Sequence, residues 1–234
     1  MIECENITNE EMKEFFEANI ETFTFLSQVF FKELTKEAIE NLAEQEWPQD
    51  SGNEHLDHGY TLLKRYFKFS AGNRKSQLAV DFARIFLAAG INAQDQNVAV
   101  PYESVFTSKE HVVMADARDK VVDAFIQDGF KVNPELHEPE DHLSFELEYL
   151  AHMNKKALEL LEGGNAQNLR KNIKRQIAFI DAHILNWVPL LLDCAKKFAK
   201  TAFYLGVLEV TIGAAEQAHK CLQEILDELP HVSL

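Results

Sequence analysis

Residues 8–34, TNEEMKEFFEANIETFTFLSQVFFKEL, set the pattern for the whole chain. Thr8 followed three residues later by Glu11 is a capping-box pair that opens a helix. Phe15, Phe16, Ile20, Phe23, Leu26, Phe30 and Leu34 then recur at steps of three and four, the spacing that lines one face of an α-helix. Thr35 is placed to cap a second helix to residue 46, and Trp47-Pro48 ends it, because the residue before proline disfavours helical backbone. The same reading gives helices over 55–69, from 75 to a left-handed stop at Gly90, and from 115 to Asp128-Gly129.

The segment INAQDQNVAVPYESVF (91–106) has no helical stripe, and KVNPELHEPEDH (131–142), with two prolines, reads as a linker. Beyond it Asp141 is placed to cap a helix carrying Leu143, Leu147, Leu150 and Met153, which Gly163-Gly164 breaks. Further helices are expected over 168–187, from Pro189 to 204, and from there to Leu229. No run alternates apolar and polar residues between turn signals, so no sheet is expected. The expected fold is all-α: an irregular multi-helix bundle of about nine to ten helices. It is read as one domain over 1–234, with a hinge linker at 131–141 between N-terminal and C-terminal helical parts.

At 234 residues, with 46% hydrophobic and 26% charged side chains, the chain has a globular composition and enough length to bury a core without metal or disulfide. Cys4, Cys194 and Cys221 are odd in number and lie outside any C-x-x-C, which fits a reducing compartment. The opening MIECENITNEEMKEFF lacks the basic start and apolar run of a secretory signal. The most apolar stretch, ILNWVPLLLDCA (184–195), is interrupted by Asn186, Pro189 and Asp193, short of a membrane span. A cytoplasmic location without membrane insertion is expected. With 38 acidic against 23 basic residues the net charge is −15, which argues against nucleic acid and favours a basic partner if the partner is charged.

The motifs of common enzyme classes are missing. Neither G-x-x-x-x-G-K-[ST] nor G-x-G-x-x-G is present, and there is no G-x-S-x-G elbow. A di-metal carboxylate site in a helical bundle needs two Glu-x-x-His pairs; Glu216 and His219 make one, while Glu148 and His152 are four apart. The EHLDH run (54–58) reads as a solvated helix start. HEPEDH (137–142) has two readings of equal weight. Asp141 as a helix cap contributes about 1 kcal/mol and needs no function. Alternatively, a carboxylate and an imidazole on a stiff loop present groups that hold a guanidinium or a peptide backbone.

Four stretches in order carry a family resemblance. Glu138-Pro-Glu-Asp-His142, with the following Glu146-Leu-Glu-Tyr-Leu150, resembles the E-P-x-D-H segment and helix of the TorD/DmsD/NarJ chaperones. Asp81-Phe-Ala-Arg-Ile-Phe-Leu87, Pro101-Tyr-Glu-Ser-Val-Phe106, and Phe179, His183, Leu185, Trp187 and Pro189 as F-x-x-x-H-x-L-x-W-x-P resemble the family too, over residues 78–205. In the N-terminal third only Trp47 and Tyr60 are comparable. The resemblance implies a cytoplasmic, non-catalytic chaperone without a resident cofactor, with guanine nucleotide as a weak ligand. Its partners would be the twin-arginine leader and immature catalytic subunit of a molybdoenzyme of the dimethyl sulfoxide or trimethylamine oxide reductase type. It would assist molybdenum-cofactor insertion. Separately, the proline-bearing HEPEDH linker gives the expectation of a monomer or of a dimer in which the C-terminal helices are swapped between protomers.

By the same resemblance Asp141 and His142 are leader-binding residues, Glu138 and Pro139 shape their loop, and Tyr102, Glu103 and Ser104 form an adjacent wall above His183 and Trp187. Purely structural roles stand beside these: Tyr102 as a core edge, Trp187 as a buried anchor, His183 satisfying a helix carbonyl. A di-metal enzyme and a general helical adaptor are the competing functions.

Overall fold

The computed structural model describes residues 7–90 and 98–229. Cys4, and residues 91–97 of the segment read without a helical stripe, therefore lie outside the described residues. Among the described residues ten α-helices follow one another: α1 (Asn9–Phe31), α2 (Lys36–Glu44), α3 (Glu54–Phe69), α4 (Arg74–Phe86), α5 (Glu103–Thr107), α6 (Asp116–Asp128), α7 (Leu143–Glu162), α8 (Ala166–His183), α9 (Val188–Ala195) and α10 (Phe203–Glu228). A 3-10 turn at Pro134–Leu136 lies inside the expected linker. Among the described residues there is no strand, only one isolated bridge between Tyr102 and His142.

The expected capping box is present, with Thr8 Oγ1 accepting from the Glu11 amide and Glu11 accepting from the Thr8 amide. Phe16, Phe23, Leu26 and Phe30 are buried, so the apolar stripe of α1 is its inner face. That face lies along α7, while α3 lies along α10. The second pair approaches backbone to backbone, because a Cβ at Gly59 would meet Val210 Cγ2 at 2.7 Å and the Gly206 carbonyl at 2.8 Å. Both pairings join helices from opposite sides of residues 131–141 into one hydrophobic core.

Several boundaries differ from those expected, each for a local reason. Helix α4 stops at Phe86, before Gly90, and Ala88 already adopts a positive φ of 51°. The C-terminal periodicity resolves into α8, capped by Asn165 and ending at His183, and a short α9 ending at Ala195. The chain then turns because the buried Asp81 carboxylate accepts from the Lys200 amide at 2.9 Å and the Thr201 amide and hydroxyl at 2.7 Å each. This gives Asp81 of the 81–87 motif a structural task, fixing the start of α10. Asp128 has a similar one: buried at the end of α6, it accepts from the Tyr149 hydroxyl at 2.8 Å and from Arg175 at 2.7 Å, tying α6 to α7 and α8.

The stretch Ala166–Ala195 is more apolar than its interruptions imply. Its most apolar 18 residues have a mean hydropathy of 1.4, long and apolar enough to cross a membrane by length and composition. Half of that window is buried inside the bundle, as expected when α8 and α9 both turn an apolar face to the core.

Candidate functional site

Two segments 37 residues apart are stitched together at the start of α7. The Glu103 amide donates to the Asp141 carbonyl at 3.0 Å and the Leu143 amide to the Pro101 carbonyl at 2.9 Å. Asp141 Oδ2 accepts from the Ser104 amide at 2.9 Å and from the Ser104 hydroxyl. Asp141 is therefore not the N-cap of α7. The cap is His142, whose Nδ1 accepts from the Ser144 amide at 3.1 Å, because the aspartate is turned the other way to hold the first turn of α5.

His142 is 6% exposed, enclosed by the rings of Tyr102, Phe145 and Phe31 at centroid distances of 5.0, 5.8 and 6.4 Å. Burial among these rings lowers its pKa to about 4, and Nδ1 as an acceptor fixes the neutral tautomer with the proton on Nε2. The Tyr102 hydroxyl donates to Glu138 and pins the outer loop. Burial and the nearby Glu138 raise the Tyr102 pKa, so the phenol remains a donor.

Behind this seam lie carboxyl groups with little access to water. Glu103 is hydrogen-bonded to His183 Nδ1 at 2.8 Å and accepts from the Asn186 amide group at 3.2 Å. Glu146 has no exposed surface and accepts from the Trp187 indole N–H at 3.3 Å; that N–H also donates to the His183 carbonyl at 2.7 Å. Desolvation, with Glu103 and Asp141 close by, holds the Glu146 carboxyl well above the usual carboxylate range. Burial pushes Asp141 upward as well, against the opposing effect of its bonds from Ser104.

A cleft of about 560 Å³ opens over Glu103, His183 and Asn186. Its walls include Thr107, Ser108, Glu110 and Asp116, with Lys109 and Lys120 also contributing. The loop between its two sides carries Val112, Val113 and Met114, which are 50%, 45% and 61% exposed. A second hollow of about 370 Å³, lined by Phe31, Leu136, Ser144, Phe145 and Glu148, lies where α1 meets the start of α7.

The residues expected to form a site thus come together, but at different depths. Asp141, Ser104 and Trp187 have no exposed surface, and Glu103 and His183 are buried with an edge lining the cleft. Glu138 is exposed, and Pro139 and Tyr102 are half-buried. His183 serves Glu103 rather than a helix carbonyl, and Trp187 is a buried anchor stacked on Phe106 at 5.6 Å. Sequence reasoning missed Glu146 and Asn186 as members of the site. Glu146 left a signal, since it sits three residues after Leu143 and four before Leu150, on the apolar stripe of its own helix.

Among the described residues, no group of three or more potential ligand side chains is arranged to hold a metal. Glu216 accepts from Asn53 at 2.8 Å while His219 pairs with Asp181 at 3.2 Å, so the Glu-x-x-His pair is divided between different neighbours. In the EHLDH run, His55 and His58 both turn to the buried Glu209, at 2.6 and 3.1 Å.

The nitrate reductase delta subunit family matches residues 49–193, 145 of the 234 residues. Chaperone protein TorD of Vibrio cholerae serotype O1 (strain ATCC 39315 / El Tor Inaba N16961) is 27% identical over 227 residues, covering 94% of this chain and 98% of the relative. Chaperone protein TorD of Vibrio vulnificus (strain YJ016) is 27% identical over 216 residues, covering 87% and 94%. That of Psychrobacter sp. (strain PRwf-1) is 22% identical over 212 residues, covering 88% and 91%. The chain belongs to the nitrate reductase delta subunit family, as a TorD-like chaperone and not an enzyme.

Proposed function

We propose that this chain is a cytoplasmic maturation chaperone that holds the twin-arginine leader, and the immature body, of a molybdoenzyme of the dimethyl sulfoxide or trimethylamine oxide reductase type, delaying export and assisting cofactor insertion. The observation that carries the reading is the cleft over Glu103, with Glu110 and Asp116 on its walls and an exposed apolar loop at 112–114 between its two sides. An arginine pair followed by an apolar stretch matches both surfaces: guanidinium groups against the carboxylates, apolar side chains against Val112, Val113 and Met114. Exposed ion pairs contribute about 0.2–1 kcal/mol each, whereas burying one large apolar side chain contributes about 1.5–3 kcal/mol. The apolar loop therefore supplies most of the affinity, and the acidic wall together with the −15 net charge steers and selects. Guanine nucleotide, as a weak ligand implied by the family, remains part of this proposal.

Affinity capture from the native cytoplasm, with mass spectrometry of what is retained, tests it. A molybdoenzyme precursor with its leader intact is the expected catch, and recovery should fall at least about tenfold for a Val113→Glu, Met114→Glu double variant, the equivalent of roughly 1.4 kcal/mol. These side chains are exposed, so the variant should retain the melting temperature of the parent. Recovery of leaderless proteins alone would sink the proposal.

The pairing of α1 with α7 and α3 with α10 across residues 131–141 supports a second element of the same reading, dimers formed by exchanging α7–α10 between two copies. Light scattering over a concentration series should show a slowly formed dimer; a strict monomer at every concentration would count against exchange.

A further inference from the structure

Two oxygen atoms beneath the cleft stand out: Asp141 Oδ1 and Glu146 Oε1 are fully enclosed and have no hydrogen-bond partner. Both belong to residues with no exposed surface, and both carboxyls feel the charge of Glu103. The donors that reach the group are already engaged: Ser104 on Asp141 Oδ2, Trp187 on Glu146 Oε2, and His183 and Asn186 on Glu103. His142, next in the chain, is turned to Ser144. The other charged groups are Arg118, which is bonded to Glu140 at 2.6 Å and feels the charge of Asp141, and Lys109, Glu110, Asp116 and Lys120 on the cleft walls. Enclosed carboxyls such as those of Asp141 and Glu146, lying within the influence of Glu103, resist ionising, because each further negative charge in low dielectric raises the cost of the next. An orphaned carboxylate oxygen beside another carboxyl is satisfied when one of the two carries a proton and donates it.

We infer that the enclosed carboxyls of Asp141 and Glu146 form one proton store beneath Glu103, and that a guanidinium settling against Glu103 displaces a proton from it. This rests on the cleft being the site for an arginine-bearing segment. The charge balances: a cationic guanidinium enters, one carboxyl O–H of the store breaks, and the proton leaves to water through the cleft. The complex then holds an added carboxylate charge opposite an added cation, and no other reactant is needed. Binding of arginine-bearing segments is thereby linked to pH: the chaperone grips more tightly as protons become scarce and loosens as they accumulate. Glu146, which does not line the cleft, acts in this as a positioning residue through Glu103.

Titration calorimetry with a synthetic peptide, two adjacent arginines followed by an apolar stretch of alanine and leucine, tests the inference in the full chain. Run in two buffers of different ionisation enthalpy, the wild type should release ~1 proton per peptide bound, and affinity should rise by up to about tenfold per pH unit where the store is protonated. In Glu146→Gln the release and the pH dependence should both shrink towards zero while the peptide still binds. Binding without proton release in the wild type overturns the proton store and leaves the cleft reading standing. Absence of binding at every pH overturns both. The wild-type buffer comparison decides the matter by itself if the variant does not fold.

Discussion

Replacing Trp187 by alanine should lower the free energy of unfolding by about 3–5 kcal/mol, the range for removing a large aromatic side chain from a core. The indole has no exposed surface, stacks on Phe106, and donates through one N–H to both the His183 carbonyl and Glu146. Truncation leaves a cavity where α8 turns into α9 and removes the donor that the buried Glu146 faces. Because domains of this kind are stable by only about 5–15 kcal/mol, the variant should show a measurable unfolded population under mild denaturant. Urea unfolding followed by circular dichroism, with the slope unchanged, gives the number; a loss below about 1 kcal/mol would contradict the packing around the indole. Trp187→Phe should fall between, keeping the stack and losing the N–H.

Acidification should remove about 3 kcal/mol of stability through His142 alone. Its pKa is about 4 in the folded chain against an ordinary 6.5, a difference of about 2.5 at roughly 1.4 kcal/mol per pH unit. The sign follows from which state takes up the proton. Above pH 6.5 the imidazole is neutral in both states and its share of stability is whole; as pH falls from 6.5 to about 4 the unfolded chain is protonated first, and stability is lost. Glu146 and Asp141, with raised pKa values, act in the opposite direction: their contribution is whole at low pH and declines as pH rises through and above the ordinary carboxylate range. Comparing wild type with His142→Gln and Glu146→Gln by urea unfolding from pH 4 to pH 8 separates the two. The His142 variant should flatten the acid limb, and the Glu146 variant should gain stability at neutral pH. An unchanged acid limb in His142→Gln would show that the imidazole is not buried neutral.

The helices were legible where local chemistry decides them. Thr8 with Glu11, Thr35, and Gly129 act on neighbours three or four residues away, and their caps form as the sequence spacing predicts. Residues whose partners are remote were not legible in that way. Asp141 has every mark of a helix cap, yet its partner is Ser104, 37 residues earlier. Asp81 looks like a polar member of an amphipathic helix until it meets the amides of Lys200 and Thr201, 119 and 120 residues on. Helix α5 is a single turn of five residues, too short to express a period. For the site, motif resemblance brought the right segments together while giving no depth. Only the structure separates the enclosed acids Asp141 and Glu146, and the buried Glu103 whose edge lines the cleft, from the exposed Glu110 and Asp116 on its walls.

The partnership of α1 with α7 also sets a schedule for synthesis. The phenylalanine stripe of α1 is complete by residue 31, but α7, which covers it, ends at residue 162. At about 5–20 residues per second, the intervening stretch of roughly 130 residues keeps the stripe waiting for some 7–25 s on the ribosome. During that interval the nascent chain itself displays the kind of apolar helix that other chaperones capture, so the cellular yield of this protein should respond to the supply of general folding factors and to any pause before codon 162.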